Sequence, residues 1–195
     1  MAYHHFVGKG LNRSEKIQAW VVDQLLNSSI PDHKRESSVI WELKHSSGMI
    51  QITRLLAQKR GMDDNEQELA AVAAALHDIY VILEGSYEKH AILGAVLARK
   101  ILGNTGQFNR PEVEKICNAI ESHSNKHEYS KDKFVELIKD ADCTDCFFYN
   151  DTIYDDKPSD IREHYYRRFV RIRKELGLQS KSEVEDKLLR LEGVK

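Results

Sequence analysis

Three features of the sequence predict a single domain with an all-α fold. Nearly every segment shows the apolar spacing of a helix that buries one face. No turn signal such as Asn-Gly separates two alternating runs. The chain has 195 residues, which is enough for one domain with a substantial core. We expect a single irregular bundle of six to eight helices spanning residues 1–195. Its core would cover about 39–148, with C-terminal helices at 159–192 packed on that core.

Capping residues and apolar spacing divide the first third of the chain into three helices. Asn12 and Glu15 form a capping box that opens the first helix. Pro31-Asp32 is expected to start the second helix, which would stop near Gly61. The third helix is capped by Asp63-Asp64, is rich in alanine, and should end at its C-terminal His-Asp pair, because the next five apolar residues lose its pattern.

The middle of the chain predicts three more helices. The fourth would run from about 87 to 102, with Gly103 as its C-terminal stop. Pro111 suits the first turn of the fifth helix, where a missing N–H costs nothing. The sixth helix would cover about 131–148. A turn-rich loop follows it.

The C-terminal part predicts one basic helix capped by Ser159 and a last short helix capped by Ser180 with Glu183. The arginines of this helix are expected to form a solvated face, as basic runs usually do. They are Arg162, Arg167, Arg168, Arg171 and Arg173. The same helix carries an apolar stripe, which would either form a homodimer or pack on the protein's own core. The stripe consists of Tyr165, Phe169, Ile172 and Leu176.

Composition excludes several classes of protein. Hydrophobic residues make up 41% and charged residues 31%, as in globular proteins. No apolar run is long enough for a membrane-spanning helix. The N-terminal stretch lacks the apolar core of a signal peptide, and three cysteines are too few for a disulfide framework, so we expect a cytoplasmic protein with reduced thiols. The net charge is −2 and the basic residues are dispersed, so no nucleic-acid partner is expected.

The positions of several of the nine histidines indicate a metal site. Imidazole together with carboxylate suits a borderline divalent ion better than calcium or magnesium alone. Helical bundles build such sites by aiming side chains from several helices at one point. Adjacent residues in mid-helix point about 100° apart, but the pair His77-Asp78 is expected at a helix end, where an ion can lie beyond the last turn. The partial negative charge of a helix C-terminus also favours a cation there.

The order His45, His77-Asp78, Asp142 resembles the HD-domain superfamily of metal-dependent phosphohydrolases. The local sequences WELKHSSGMI, LAAVAAALHDI and KDADCTD resemble the segments that carry the family's ligands, and the similarity extends over about residues 39–148. The resemblance implies that these four side chains hold a divalent ion.

The segments EKHAILGAVLA and IESHSNKHE resemble those that bind a second ion in some members of the family. The resemblance therefore implies that His90 and His123 bind this ion, with Asp78 bridging the two. One or two ions are expected, among Mn, Fe, Co, Ni, Zn and Mg. Three features depart from the family pattern. Tyr80 stands where the family often has glycine, and the residues CTDC after Asp142 differ from those usual in the family. The GYP signature of the cyclic-dinucleotide phosphodiesterase branch is missing. The substrate is therefore not specified.

We expect hydrolysis of a phosphomonoester or phosphodiester, in a nucleotide or related small metabolite, by metal-activated water. Asp78 would orient the attacking water. Lys126, Lys89 or His127 would neutralise developing charge or protonate the leaving oxygen, and the sequence does not choose among them.

Two alternatives remain open. The same ligands suit an HD-fold di-iron oxygenase, and the departures from the family leave room for a non-catalytic module that binds a nucleotide or a metal. Asp140 is expected either to support a ligating histidine or to face solvent. Cys143 and Cys146 share one helix face and are expected to serve packing.

Overall fold

A computed structural model describes residues 11–193, and the prediction of an all-α fold is confirmed in that range. Eight of its helices have ten residues or more, and the helix Ile79–Glu84 has six. The two ends of the predicted domain, 1–10 and 194–195, lie outside the described residues. The helices are α1 (Arg13–Leu26), α2 (Val39–Lys59), α3 (Asp64–Leu76), α4 (Ile79–Glu84), α5 (His90–Thr105), α6 (Arg110–Ser122), α7 (Lys133–Tyr149), α8 (Ser159–Leu176) and α9 (Ser182–Leu191).

Helix α3 forms the centre of the bundle. Every residue from 69 to 76 is buried, and the helix contacts α1, α2, α6 and α7. Its alanines present little side-chain volume, so these neighbours can pack close to its backbone. A second, smaller apolar cluster joins α7 to α8 and α9. The C-terminal end of α3 therefore lies in the interior, where several other helices can reach it.

Three predicted helix starts are confirmed by capping hydrogen bonds. Asn12 forms a capping box with Glu15 at α1. The side chain of Asp63 accepts from a backbone N–H at the start of α3. Pro111 lies in the first turn of α6, which opens with a second capping box at Asn109. These signals are local, since each depends on residues within one turn.

The predicted start of the second helix is wrong. Pro31 precedes only a short 3-10 turn, Asp32–Lys34, and α2 begins at Val39. The side chain of Ser38 accepts from the backbone N–H of Trp41 and so caps the helix. Asp32 is used differently, because its carboxylate accepts from the N–H of Val39.

The two helices after the His-Asp pair also differ from the prediction. Residues 79–84 form α4, whose buried side chains are too few to show a helical period. Helix α5 begins at His90 because Lys89 adopts a left-handed conformation with φ 51°. The helix ends at Gly106 with φ +62°, so the predicted stop, Gly103, lies inside it.

At the C-terminal helices, the predicted serine caps are not formed. Ser159 is the first residue of α8 rather than its cap, and α9 begins two residues after Ser180 with no side-chain cap. In the apolar stripe of α8, Tyr165, Phe169 and Ile172 are buried, so the stripe packs within the chain. No helix among residues 11–193 is both long enough and apolar enough to cross a membrane.

Candidate metal centre

His77 and Asp78 meet at the C-terminal end of α3. His77 keeps helical backbone angles, whereas Asp78 leaves the helix with φ −102° and ψ 24°. This change of direction allows adjacent side chains to face one another, and Nε2 of His77 lies 3.2 Å from Oδ2 of Asp78. Both side chains are almost completely buried. The predicted helix end thus places the pair in one site.

Helices α2 and α7 bring His45 and Asp142 to the same point. The Nε2 atom of His45 lies 3.0 Å from Nε2 of His77 and 3.7 Å from Oδ2 of Asp78. It is also 3.6 Å from Oδ1 of Asp142. The four side chains proposed for the first ion therefore form one cluster.

His90 at the start of α5 and His123 just after α6 lie on the other side of Asp78. Their Nε2 atoms are 3.2 Å apart. Each also approaches Oδ1 of Asp78, at 3.6 Å from His90 and 3.4 Å from His123. One oxygen of Asp78 thus faces the first group of ligands and the other oxygen faces the second, as a bridging carboxylate requires.

All four imidazoles are oriented by a hydrogen bond from Nδ1. Three of these bonds go to backbone oxygens, at 2.8 Å from His77, 2.8 Å from His90 and 2.6 Å from His123. The Nδ1 atom of His45 lies 2.6 Å from Oδ2 of Asp145. In the neutral tautomer that donates from Nδ1, Nε2 carries a lone pair, which is what a metal ligand presents.

Burial of Asp78 supports the same assignment. Its Oδ1 atom is buried and has no hydrogen-bond partner among the described residues. An unpaired buried carboxylate oxygen is costly unless a cation neutralises it. Ligand atoms that lie within 4.8 Å of one another include two groups that share Asp78, one with His45 and His77 and one with His90 and His123. These residues fit one or two divalent ions.

The protonation of the cluster shows its preference for positive charge. Burial alone would lower the pKa of His77, but Asp78 and Asp142 raise it to about 9. Burial opposes ionisation of Asp78, yet His77 and His123 hold its pKa well below the usual range. Because the pKa of His77 is raised, a metal ion would compete with a proton for this imidazole.

Asp145 is a site residue that the sequence analysis missed. It lies one turn beyond Asp142 on α7 and fixes the ring of His45. A Cβ atom added to Gly48 would lie 2.0 Å from its Oδ1 atom, so only glycine leaves room for this carboxylate. The spacing of Asp142 and Asp145 could have indicated a shared face, since residues three apart are neighbours on a helix.

Asp140 was expected either to support a ligating histidine or to face solvent, and it does neither. It is completely buried and accepts from Arg60 and Arg171, each at 2.6 Å, and from Arg168. Arg168 is also completely buried, so the prediction of a solvated face is wrong for this residue. Its guanidinium donates to the backbone oxygen of Lys126 at 3.0 and 3.2 Å.

Of the three candidates for the charge-neutralising group, Lys126 alone lies at the cluster. Its Nζ atom is 2.5 Å from Oδ2 of Asp142, and the side chain is buried. Lys89 is exposed at the start of α5, and His127 is half-buried with Nε2 3.9 Å from a carboxylate oxygen of Glu128. Neither Lys89 nor His127 lines the cavity described next.

The cluster forms part of the wall of a cavity of about 280 Å³. Cys146 also lines it, with Sγ 3.4 Å from Oδ1 of Asp142, whereas Cys143 donates to the backbone oxygen of Tyr165. All the proposed ligands except His77 line the cavity, together with Lys126 and Cys146. Its other lining residues are Trp41, Tyr87, Ser124, Ile153, Tyr154, Lys157 and Tyr165. It therefore offers both cationic and aromatic groups to a bound molecule.

Comparison with known proteins agrees with the geometry. The family model described as "HD domain" matches residues 43–146, which is more than half of the chain and includes all the proposed ligands. No curated protein and no solved structure is significantly similar to the chain. The match covers the helices that carry the clustered histidines and aspartates. The chain therefore belongs to the HD domain family.

Proposed function

We propose that the protein is a metal-dependent phosphohydrolase acting on a phosphomonoester or phosphodiester, in a nucleotide or related small metabolite. The observation that carries the proposal is the position of Asp78. Its two oxygens lie between two groups of imidazoles whose Nε2 atoms converge in a cavity wall. Membership of the HD domain family supports the same class of reaction.

The residues divide into two ligand sets. His45, His77, Asp78 and Asp142 would hold one divalent ion, and His90 and His123 would share Asp78 to hold a second. When bound, such an ion lowers the pKa of a coordinated water from about 15.7 toward about 7 and stabilises negative charge on phosphate oxygens.

The chain's own groups would supply orientation and charge. Asp78 would orient the attacking water, because it is the carboxylate shared by both groups of imidazoles. Lys126 would stabilise negative charge on the phosphoryl group. Burial opposes its charged form, but Asp142 raises its pKa, so the ammonium stays protonated at neutral pH. A raised pKa makes it a poor proton donor. Lys89 and His127 remain candidates for that role with less support, since neither lines the cavity.

A screen of phosphorylated metabolites with added manganese, cobalt, nickel or magnesium tests the proposal. We expect phosphate release from at least one compound, and we expect Asp78→Ala to lose turnover and bound metal together. Lys131→Ala, an exposed site outside the cavity, is the matched control and should keep both. Full activity in Asp78→Ala would contradict the mechanism.

The same preparation separates the alternatives. Bound iron together with oxygen consumption would indicate an oxygenase, and no product from any compound would favour a binding module. We also propose a cytoplasmic location, which the three free, buried cysteines support because buried free thiols suit a reducing compartment.

A further inference from the structure

The cavity has two sides of different origin. Its metal side is formed by residues within the family match, 43–146. Apart from Trp41, the remaining lining residues follow that match, and we call them the second side: Ile153, Tyr154, Lys157 and Tyr165. The metal side carries the groups suited to the chemical step. The second side can therefore select the substrate without altering the metal centre.

Lys157 is the cation of this second side. It is half-buried and lines the cavity, and no hydrogen bond or ion pair of its ammonium occurs among residues 11–193. Lys126, by contrast, is paired with Asp142. The nearby carboxylate of Asp155 is also engaged, since it accepts from Lys187 at 2.8 Å and from the hydroxyl of Tyr166. The charge of Lys157 is thus available to a bound molecule.

The backbone that carries Lys157 is held in place. Its N–H donates to the oxygen of Tyr154 at 3.1 Å, closing a turn. The Tyr154 ring is buried between Tyr165 and Phe147, with ring centroids 4.2 and 5.0 Å away. The hydroxyl of Tyr165 donates to the backbone oxygen of Ser124, beside the metal side. A lysine on such a support occupies a limited region, which favours selective binding.

Charge identifies the kind of group that would bind there. The two carboxylates lining the cavity, Asp78 and Asp142, are offset by Lys126 and Lys157, so one or two divalent ions leave the cavity positively charged. A substrate with one phosphoryl group can be held by the metals and Lys126. The ammonium of Lys157 offers a separate contact for further negative charge.

We propose that Lys157 determines specificity by binding a second phosphoryl group, so that preferred substrates carry two phosphoryl groups, as a nucleoside diphosphate does. The proposal rests on the proposed function, since only a phosphohydrolase would have such a substrate. Its test does not require turnover, because it measures the binding of compounds that cannot be hydrolysed.

The experiment is calorimetric titration of the metal-loaded protein with methylphosphonate and with diphosphonates bridged by one or three carbons. We expect the wild type to bind at least one diphosphonate more tightly than methylphosphonate. Lys157→Ala should weaken that diphosphonate by about tenfold, as expected for loss of one hydrogen bond to a charged group, and leave methylphosphonate unchanged. Lys157→Arg should retain the preference.

Lys131→Ala is again the matched control and should bind all three compounds like the wild type. Metal content measured after each titration shows whether a diphosphonate has removed the ion. Unchanged diphosphonate binding in Lys157→Ala, or equal weakening of all three compounds, would overturn the proposal. If the protein hydrolyses a phosphate ester but diphosphonate binding does not depend on Lys157, the proposed function stands and the role of Lys157 is refuted. If diphosphonate binding depends on Lys157 but no compound is hydrolysed, the role of Lys157 stands and the proposed function is refuted.

Discussion

The contact between His45 and Asp145 determines the direction in which one ligand presents its lone pair. Supporting carboxylates of this kind typically change metal affinity by about 10- to 100-fold when removed. We expect Asp145→Ala to weaken binding of zinc or manganese within that range, and Asp145→Asn to weaken it less, because an amide oxygen can still accept from Nδ1. Competition with a metal-sensitive dye measures the affinity. Asp186→Ala on the exposed side of α9 is the control, and an equal loss there would contradict the role of Asp145.

The space for Asp145 depends on Gly48, and a pair of glycine variants tests this. In Gly48→Ala the new Cβ would clash with the Asp145 carboxylate, so we expect weaker metal binding and lower stability. Gly103→Ala places its Cβ in open space within α5 and should stabilise the protein by about 0.5–1 kcal/mol. Urea denaturation and the dye assay measure both effects. Equal behaviour of the two variants would argue against the packing described.

Protonation of His77 predicts how metal binding depends on pH. Its pKa in the metal-free protein is raised from 6.5 to about 9, so the proton's contribution to stability is complete below pH 6.5 and is lost as the pH rises through 9. A metal ion must displace this proton at pH 7. We therefore expect affinity to rise by up to about tenfold per pH unit between pH 7 and 8. Titrations in buffers with different ionisation enthalpies should show proton release when an ion fills the set of His45, His77, Asp78 and Asp142, and no release would contradict the prediction.

At the scale of elements, α8 supports the site through Arg168. This guanidinium binds Glu136, Asp140 and the backbone oxygen of Lys126 without any exposure to solvent. Removing one partner from a buried charge network is costly, so Arg168→Ala should destabilise the fold by about 3 kcal/mol. The neighbouring Arg167 is exposed, and Arg167→Ala should cost less than about 1 kcal/mol. Urea unfolding measures both, and equal costs would contradict a supporting role for α8.

A helix boundary could be predicted where its signal lies in neighbouring residues of the sequence. Capping at Asn12 and Asp63 depends on neighbouring residues, so the sequence contained the whole signal. Helix α4 was missed because it has only six residues and is stabilised by burial against other helices. The extent of α5 was misplaced because Gly103 was assigned the terminating role that Gly106 performs. Tertiary packing therefore decided the case of α4, whereas the end of α5 depends on which of two nearby glycines adopts the left-handed conformation.

At the scale of the whole molecule, the site joins side chains from α2, the end of α3, α5, the end of α6, and α7. The resemblance to the HD-domain superfamily implied that His45, His77, Asp78 and Asp142 lie together. The same resemblance implied that His90 and His123 lie beside Asp78. The shared helix face of Asp142 and Asp145 could be read from their spacing, but the contact of Asp145 with His45 depends on how α7 packs on α2. The position of Lys157 in the cavity wall could not be predicted, because it depends on which turn reaches the cavity. Arg168 was likewise misjudged, since its burial arises from the packing of α8 on α7.

Metal content of the purified protein tests the central claim most directly. After incubation with manganese, iron, cobalt, nickel or zinc and removal of free ion, elemental analysis should find at least one divalent ion per wild-type chain. Asp78→Asn, which keeps the size of the side chain but removes its charge, should retain its helical circular dichroism and hold much less metal. A well-folded wild type that takes up none of these ions, or an Asp78→Asn variant that holds as much as the wild type, would contradict the account.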